Sequence, residues 1–217
     1  MTTPRPTVLL LLSGGYDSPV AGHVLRQGGF DVLGVHFSQE PFTDNSPERK
    51  ALLLAQKLGI QPVYVINVGM QLLEFSTHAK ESYYFVLQKR LFYRLATTLA
   101  HRLGIQFIAT GESVAQVSSQ TLVNLTTLDQ ALTDVTLLRP LLGYNKQEII
   151  DLAKKIGTYD TSTGPESCDK LGPKRPVINS LLENVLTEEE KFDIDGMVME
   201  SLATSVIHEP LEGSVLS

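Results

Sequence analysis

The stretch from Thr7 to Ala21, TVLLLLSGGYDSPVA, places a short apolar strand directly ahead of Ser13-Gly14-Gly15-Tyr16-Asp17-Ser18 and a helix start directly after it. A strand that turns into a helix within a few residues belongs to layered sheet-and-helix architectures. Gly14 and Gly15 let the backbone curl and approach a ligand with no side chain in the way. The following helix, begun by Ser18-Pro19, points unpaired N–H groups and its positive dipole end into the same space. Ser13 and Ser18 add hydroxyl donors, so the turn suits phosphate. Asp17 would repel a phosphate unless a divalent cation sits between them, which points to a magnesium nucleotide. The spacing is neither a Walker loop, which needs a Lys-Ser or Lys-Thr pair, nor the dinucleotide fingerprint. An ordinary strand-to-helix turn is the competing reading. The joint order of strand, glycines, acid and helix start favours the phosphate site.

Length and charge bound the remaining options. The 217 residues suffice for one domain, or one domain with an appendage, and for a substantial core. Hydrophobic residues make up 42% and charged residues 19%, without low-complexity runs or repeats, so a globular fold is expected. The apolar run before Ser13 is too short for a signal-peptide core or a membrane span, and a cytoplasmic location without membrane contact is expected. A net charge of −6 lacks the bulk positive potential with which nucleic-acid binders gather phosphates. Any polynucleotide contact is therefore local or supplied by a partner. The single cysteine, Cys168, excludes an intrachain disulfide and any site built from several thiolates.

Along the chain, strands are expected at Val8 to Leu12, Asp31 to Phe37, Pro62 to Asn67, Phe107 to Thr110 and Thr136 to Leu138. Helical periodicity covers Ser18 to Gln27, Pro47 to Leu58, Ser82 to Leu103 and Lys146 to Ile156. Such alternation implies a three-layer α/β/α sandwich around a five-stranded, mainly parallel sheet. Ligands collect at the carboxyl ends of such strands, where Ser13, His36, Gly111 and Arg139 should converge. Residues 157–175, rich in Gly, Pro, Ser and Thr around Cys168, read as a long active-site loop. Residues 1–180 thus form the expected catalytic domain. Residues 181–217 form a helical extension packed on it, broken near Asp193 to Gly196 and frayed at the end.

Three further segments carry polar chemistry. Gly111-Glu112-Ser113 opens a stretch ending in Gln116, Ser118, Ser119 and Gln120, dense in paired donors and acceptors; a solvated helix start is equally compatible with that segment alone. Leu138-Arg139-Pro140 leads to Lys146 at a helix N-terminus, where the dipole is already positive and an anion is therefore expected. Cys168 stands with Lys170 and Lys174 near by in sequence, a setting that favours an accessible thiolate.

Together, SGGYDSPVAG, GESVAQVSSQTLVNL, LLRPLLGYNKQEII and the Cys168 loop resemble the PP-loop ATP pyrophosphatase domain of the tRNA 4-thiouridine synthetase, or thiamine-biosynthesis sulfurtransferase (ThiI), family. The resemblance covers Val8 to Val177 and implies a PP-loop, Rossmann-like topology. It implies that ATP activates a tRNA uridine carbonyl as its adenylate, and that a cysteine persulfide then delivers sulfur to give 4-thiouridine. Carried over by motif, ATP would contact Leu11, Leu12, Ser13, Gly14, Gly15, Ser18, His36, Phe37, Lys89, Gly111 and Gln120. Asp17, also the magnesium ligand, and Lys146 match positions tied to adenylation, and Cys168 matches the sulfur-handling cysteine.

The resemblance also implies partners: a persulfide carrier or cysteine desulfurase as sulfur donor, and a second copy, since relatives are often dimers. Full-length relatives grip tRNA with a THUMP module and some add a rhodanese domain with a second cysteine. A catalytic strand beginning at residue 7 leaves no room for the former, so a separate RNA-binding chain is expected to present the tRNA. Two other functions compete: the same ATP chemistry on a small molecule with sulfide or ammonia, and a nucleotide-binding subunit without turnover. Remaining residues take structural roles. Glu188 to Glu190 read as the first turn of a helix, and Tyr83, Tyr84, Phe85, Phe92 and Tyr93 as helix packing.

Overall fold

Successive side chains of a strand point to opposite faces, so a run such as Val8 to Leu12 is stable only where both faces of its sheet are covered. In the computed structural model, which describes residues 4–113, 122–163, 171–172, 177 and 180–209, this is what happens. Val8, Leu10 and Leu12 enter one apolar layer, Leu9 and Leu11 the other. The strands are β1 (Thr7–Leu11), β2 (Asp31–Ser38), β3 (Val63–Asn67), β4 (Phe107–Ala109), β5 (Thr136–Leu138) and β6 (Val206–His208). Their order in the sheet is β5-β4-β1-β2-β3-β6.

The first five strands run parallel, with β1 between β2 and β4 in the registers Leu9↔Leu33 and Leu9↔Ile108. Strand order reverses beside β1, and the turn that follows β1 opens into that crevice. Among the described residues the sheet has six strands rather than the expected five. β6 pairs antiparallel with β3, Tyr64 opposite Ile207. It escapes a reading from pattern because Val206 and Ile207 are both half-exposed at the sheet edge, so backbone pairing rather than side-chain burial makes the strand.

The helices are α1 (Asp17–Gln27), α2 (Ser46–Leu58), α3 (Gly69–His78), α4 (Tyr84–Leu103), α5 (Leu122–Asp129), α6 (Lys146–Lys155), α7 (Tyr159–Ser162), α8 (Leu182–Glu189) and α9 (Ile194–Ala203). α1, α2, α6 and α7 cover one face of the sheet through Val20, Ala21, Ala51, Ala55, Ile149 and Tyr159. α3, α4, α5, α8 and α9 cover the other through Leu72, Phe75, Leu91, Leu125, Val185 and Leu202. α2 and α4 end on Gly59 and Gly104 in the left-handed conformation, at φ 61° and 68°, where a Cβ is disfavoured. α6 is started by a reciprocal capping box between Asn145 and Glu148.

The segment after residue 180 packs on α4. Arg90, 1% exposed, donates through Nε and Nη2 to both oxygens of Glu189 at 2.8 and 2.9 Å, and Arg94 donates to the same carboxylate. Glu189 therefore closes α8 instead of opening a helix, which corrects the reading of Glu188 to Glu190 as a first turn. The two guanidinium groups offset its unfavourable place at the negative helix end. Fully buried Asn124 of α5 accepts from the Ser180 backbone N–H at 2.9 Å and donates to the Val177 carbonyl at 3.2 Å. The expected break appears between α8 and α9, where Asp193 caps α9 by accepting from the Gly196 N–H. Among the described residues, no helix is long and apolar enough to cross a membrane.

Candidate active site

The turn after β1 is closed by its own serines. The Ser13 N–H donates to Ser18 Oγ at 2.9 Å, and Ser18 Oγ lies 3.3 Å from the Ser13 carbonyl and 3.2 Å from Ser13 Oγ. Ser18 is buried, so its hydroxyl shapes the turn while exposed Ser13 faces outward. Neither Gly14 nor Gly15 adopts a positive φ. Gly14 is needed for proximity: a Cβ there would lie 3.3 Å from the Pro47 carbonyl oxygen and 3.4 Å from the Lys50 side chain. The turn thus lies directly against the start of α2.

A cavity of about 300 Å³ opens beside this turn at the carboxyl ends of β1 and β2. Seven residues expected at a nucleotide line it: Leu11, Leu12, Ser13, Gly14, Gly15, His36 and Phe37. Ser38, Gln39, Thr43, Asp44, Pro47, Glu48 and Lys50 close its rim, and Phe92 reaches in from α4. Buried His36 donates from Nδ1 to the Leu12 carbonyl at 2.9 Å. Burial pushes its pKa down, more than this bond restores, so the ring is neutral and Nε2 is an acceptor. Phe37 and Phe92 stack with centroids 4.4 Å apart and planes 16° from parallel, forming an apolar wall suited to a flat ring. Phe92 packs as a helix residue should, yet it also faces the cavity. The sequence carries no expectation for Lys50, and for Phe92 only that of helix packing. Helical spacing was the available signal for Phe92, which lies three residues after Lys89 and shares its face of α4.

Asp17 opens α1 and has a buried Oδ1 with no hydrogen-bond partner among the described residues. Burial pushes its pKa from 3.8 up to about 6, against the opposing pull of the Lys146 charge. The fold therefore brings Asp17 within electrostatic reach of Lys146, the first, exposed residue of α6, although they are far apart in the chain. A buried carboxylate oxygen without a donor among the described residues fits a divalent cation.

Gly111, just past β4, seats this acid. A Cβ on Gly111 would lie 2.7 Å from the Asp17 carbonyl carbon and from the Ser18 nitrogen, so the close approach made possible by glycine is to the head of α1. The next residue, Glu112, is only 8% exposed and collects four donors: Lys89 Nζ at 3.0 Å, Tyr93 Oη at 2.7 Å, Thr110 Oγ1 at 3.2 Å and Arg139 Nε at 3.0 Å. Burial would raise its pKa, but Lys89, the Tyr93 hydroxyl and Arg139 outweigh that and hold it at about 2. Lys89, expected at the nucleotide, is thus engaged by Glu112 and is not among the cavity's lining residues. Gln120 and Cys168 lie outside the described residues.

The family model for the thiamine biosynthesis protein ThiI matches residues 4–194. The chain is 37% identical over 196 residues to a "Probable tRNA sulfurtransferase" of Alkaliphilus metalliredigens, covering 88% of this chain and 50% of that protein. A protein of the same name from Nocardia farcinica is 38% identical over 208 residues, covering 93% of this chain and again 50% of the relative. The chain thus spans about half the length of the curated relatives it matches. Among solved structures, a 4-thiouridine synthetase–RNA complex with bound ATP superposes with a TM-score of 0.89 at 31% identity, over 95% of this chain and 55% of that one. From the serine-closed turn to the match along most of its length, this chain belongs to the ThiI family.

Proposed function

We propose that this chain is the catalytic part of an ATP-dependent tRNA sulfurtransferase, adenylating a uridine carbonyl and replacing its oxygen with sulfur to give 4-thiouridine. The observation that carries the reading is the buried carboxylate oxygen of Asp17, without a hydrogen-bond partner among the described residues, at the end of the turn whose Ser13, Gly14 and Gly15 line the cavity. The 4-thiouridine synthetase that shares this fold holds ATP.

In this reading the turn from Ser13 to Ser18 and the first N–H groups of α1 bind phosphate oxygens. Phe37, Phe92 and the neutral His36 take the base, with His36 Nε2 free to accept from an exocyclic amine. Gly111 and Lys89 complete the nucleotide site, together with Gln120. Magnesium, held by Asp17, would neutralise charge between the phosphates and the acceptor oxygen. Lys146 adds a second cation where charge builds as the uridine oxygen attacks the α-phosphorus and pyrophosphate leaves. The adenylated oxygen is then a good leaving group. The terminal sulfur of a persulfide on Cys168 attacks the same carbon, AMP departs, and an external thiol cleaves the remaining sulfur–sulfur bond.

A persulfide carrier or cysteine desulfurase loads Cys168. A separate RNA-binding chain presents the tRNA, a reading with which the net charge of −6 is consistent. Residues 181–217 serve as an extension on the catalytic domain, the protein works in the cytoplasm, and it acts as a homodimer. The test is mass spectrometry of nucleosides from tRNA incubated with the protein, magnesium, ATP and a persulfide donor, with and without an RNA-binding partner. We expect 4-thiouridine and stoichiometric pyrophosphate; Cys168→Ser should lose the nucleoside while still binding ATP. Unmodified tRNA in every arm, or full thiolation by Cys168→Ser, overturns the assignment.

A further inference from the structure

We infer that Glu112 is the positioning residue of this site, fixing Lys89 on the nucleotide side of α4 and, through Gly111, holding the Asp17–Ser18 turn in place. The inference rests on the functional reading above and goes beyond it, because Glu112 lies outside the cavity lining and acts only through other residues.

The geometry is that of a pinned wedge. Thr110 to Glu112 lie between the head of α1 and the α4–β5 side of the site. On the first side, no atom fits between Gly111 and the backbone of Asp17 and Ser18. On the second, Glu112 Oε1 takes Lys89, while Oε2 takes Tyr93, Thr110 and Arg139. Arg139 continues to Asp129, donating through Nη1 at 3.0 Å and through Nη2 to the other oxygen. Among the described residues the cluster therefore holds two anions, Glu112 and Asp129, and two cations, Lys89 and Arg139. Its charges balance within the protein, which is the condition under which a buried network rigidifies instead of hydrating. Removing the Glu112 charge leaves Lys89 and Arg139 in excess, drives Lys89 toward solvent and frees the wedge behind Asp17. Partners that orient the ligands of metal sites contribute about ten- to a hundredfold to affinity or activity, and a similar factor is expected of Glu112.

The test is calorimetric titration of magnesium ATP into the full chain, paired with pyrophosphate release in the thiolation assay. Glu112→Gln is expected to weaken ATP binding about tenfold and to slow pyrophosphate release by a further factor of about ten at saturating ATP. Lys89→Gln should reproduce the binding loss with little of the rate loss. Because the two residues act on ATP as a unit, the double variant, which removes one charge of each sign, should bind ATP no more weakly than the poorer single variant. It also supplies the measurement if Glu112→Gln alone does not fold. Binding losses that multiply in the double variant, or a Glu112→Gln protein within twofold of wild type in both assays, overturn the inference. A wild-type chain that binds no ATP overturns the functional reading itself, and is told apart by the titration alone.

Discussion

The head of α1 and the surroundings of α4 each hold buried carboxylate chemistry, and they treat it in opposite ways. Asp17 has one buried oxygen without a hydrogen-bond partner among the described residues, and its proton is held up to about pH 6. Around α4, Glu112 and Glu189 are supplied with Lys89, Tyr93, Arg90 and Arg94, and both pKa values are held down. Burial raises all three in the same direction, so the difference lies in the donors. A buried carboxylate supplied with several donors is a structural tie. One left short of donors among the described residues keeps its proton to a higher pH.

Four measurements can break or sharpen this contrast. Glu189→Ala strands two guanidinium groups on α4, and by analogy with broken buried pairs it should cost about 3–5 kcal/mol in denaturant unfolding while leaving ATP affinity intact in the folded fraction. Asp17→Asn should slow pyrophosphate release on the order of 10²–10³-fold, with no loss of melting temperature at neutral pH. A strongly destabilised Asp17→Asn would place Asp17 among the structural ties. Asn124→Ala leaves the Ser180 N–H without its acceptor and should cost about 1–3 kcal/mol, read as a lower denaturant midpoint.

The smallest effects are the pH dependences, and their signs differ. For Asp17 the folded pKa, about 6, exceeds the ordinary 3.8, so the folded state binds more protons and stability falls as pH rises through that window. The kcat/KM for ATP should rise over the same window, losing about tenfold per unit below pH 6. Asp17→Asn should remove the stability slope. For Glu112 the folded value, about 2, lies below 4.5, so its contribution is complete above about 4.5 and is lost as pH falls toward 2. Glu112→Gln should flatten the acid-unfolding curve there. Parallel slopes from both variants would erase the contrast.

Much of this was legible in the chain. The five parallel strands fall within a residue or two of their expected bounds, because each is a short apolar run between helical periodicities. Seven of the residues expected at a nucleotide line one cavity because they lie at or directly after the carboxyl ends of β1 and β2. The ties were not legible. Glu112 stands in a polar stretch where any carboxylate reads as solvated, and its partners come from α4 and from beyond β5. Lys50 and Phe92 reach the cavity from helices whose cavity-facing side depends on how they pack. α3 and α5 are short helices set between longer elements, and β6 exists only because β3 offers an open edge.

The amino-acid sequence alone settled the alternation of strands and helices, the glycine-serine turn after β1 and the identity of the acid at its end, since these rest on side-chain period and local backbone freedom. Tertiary structure alone decided which carboxylates would be neutralised and which left wanting, that Gly111 serves the head of α1, and that Lys146 lies within reach of Asp17. Local pattern records what a residue can do. Desolvation and charge pairing depend on what surrounds it, and those neighbours are brought together only when the layers close.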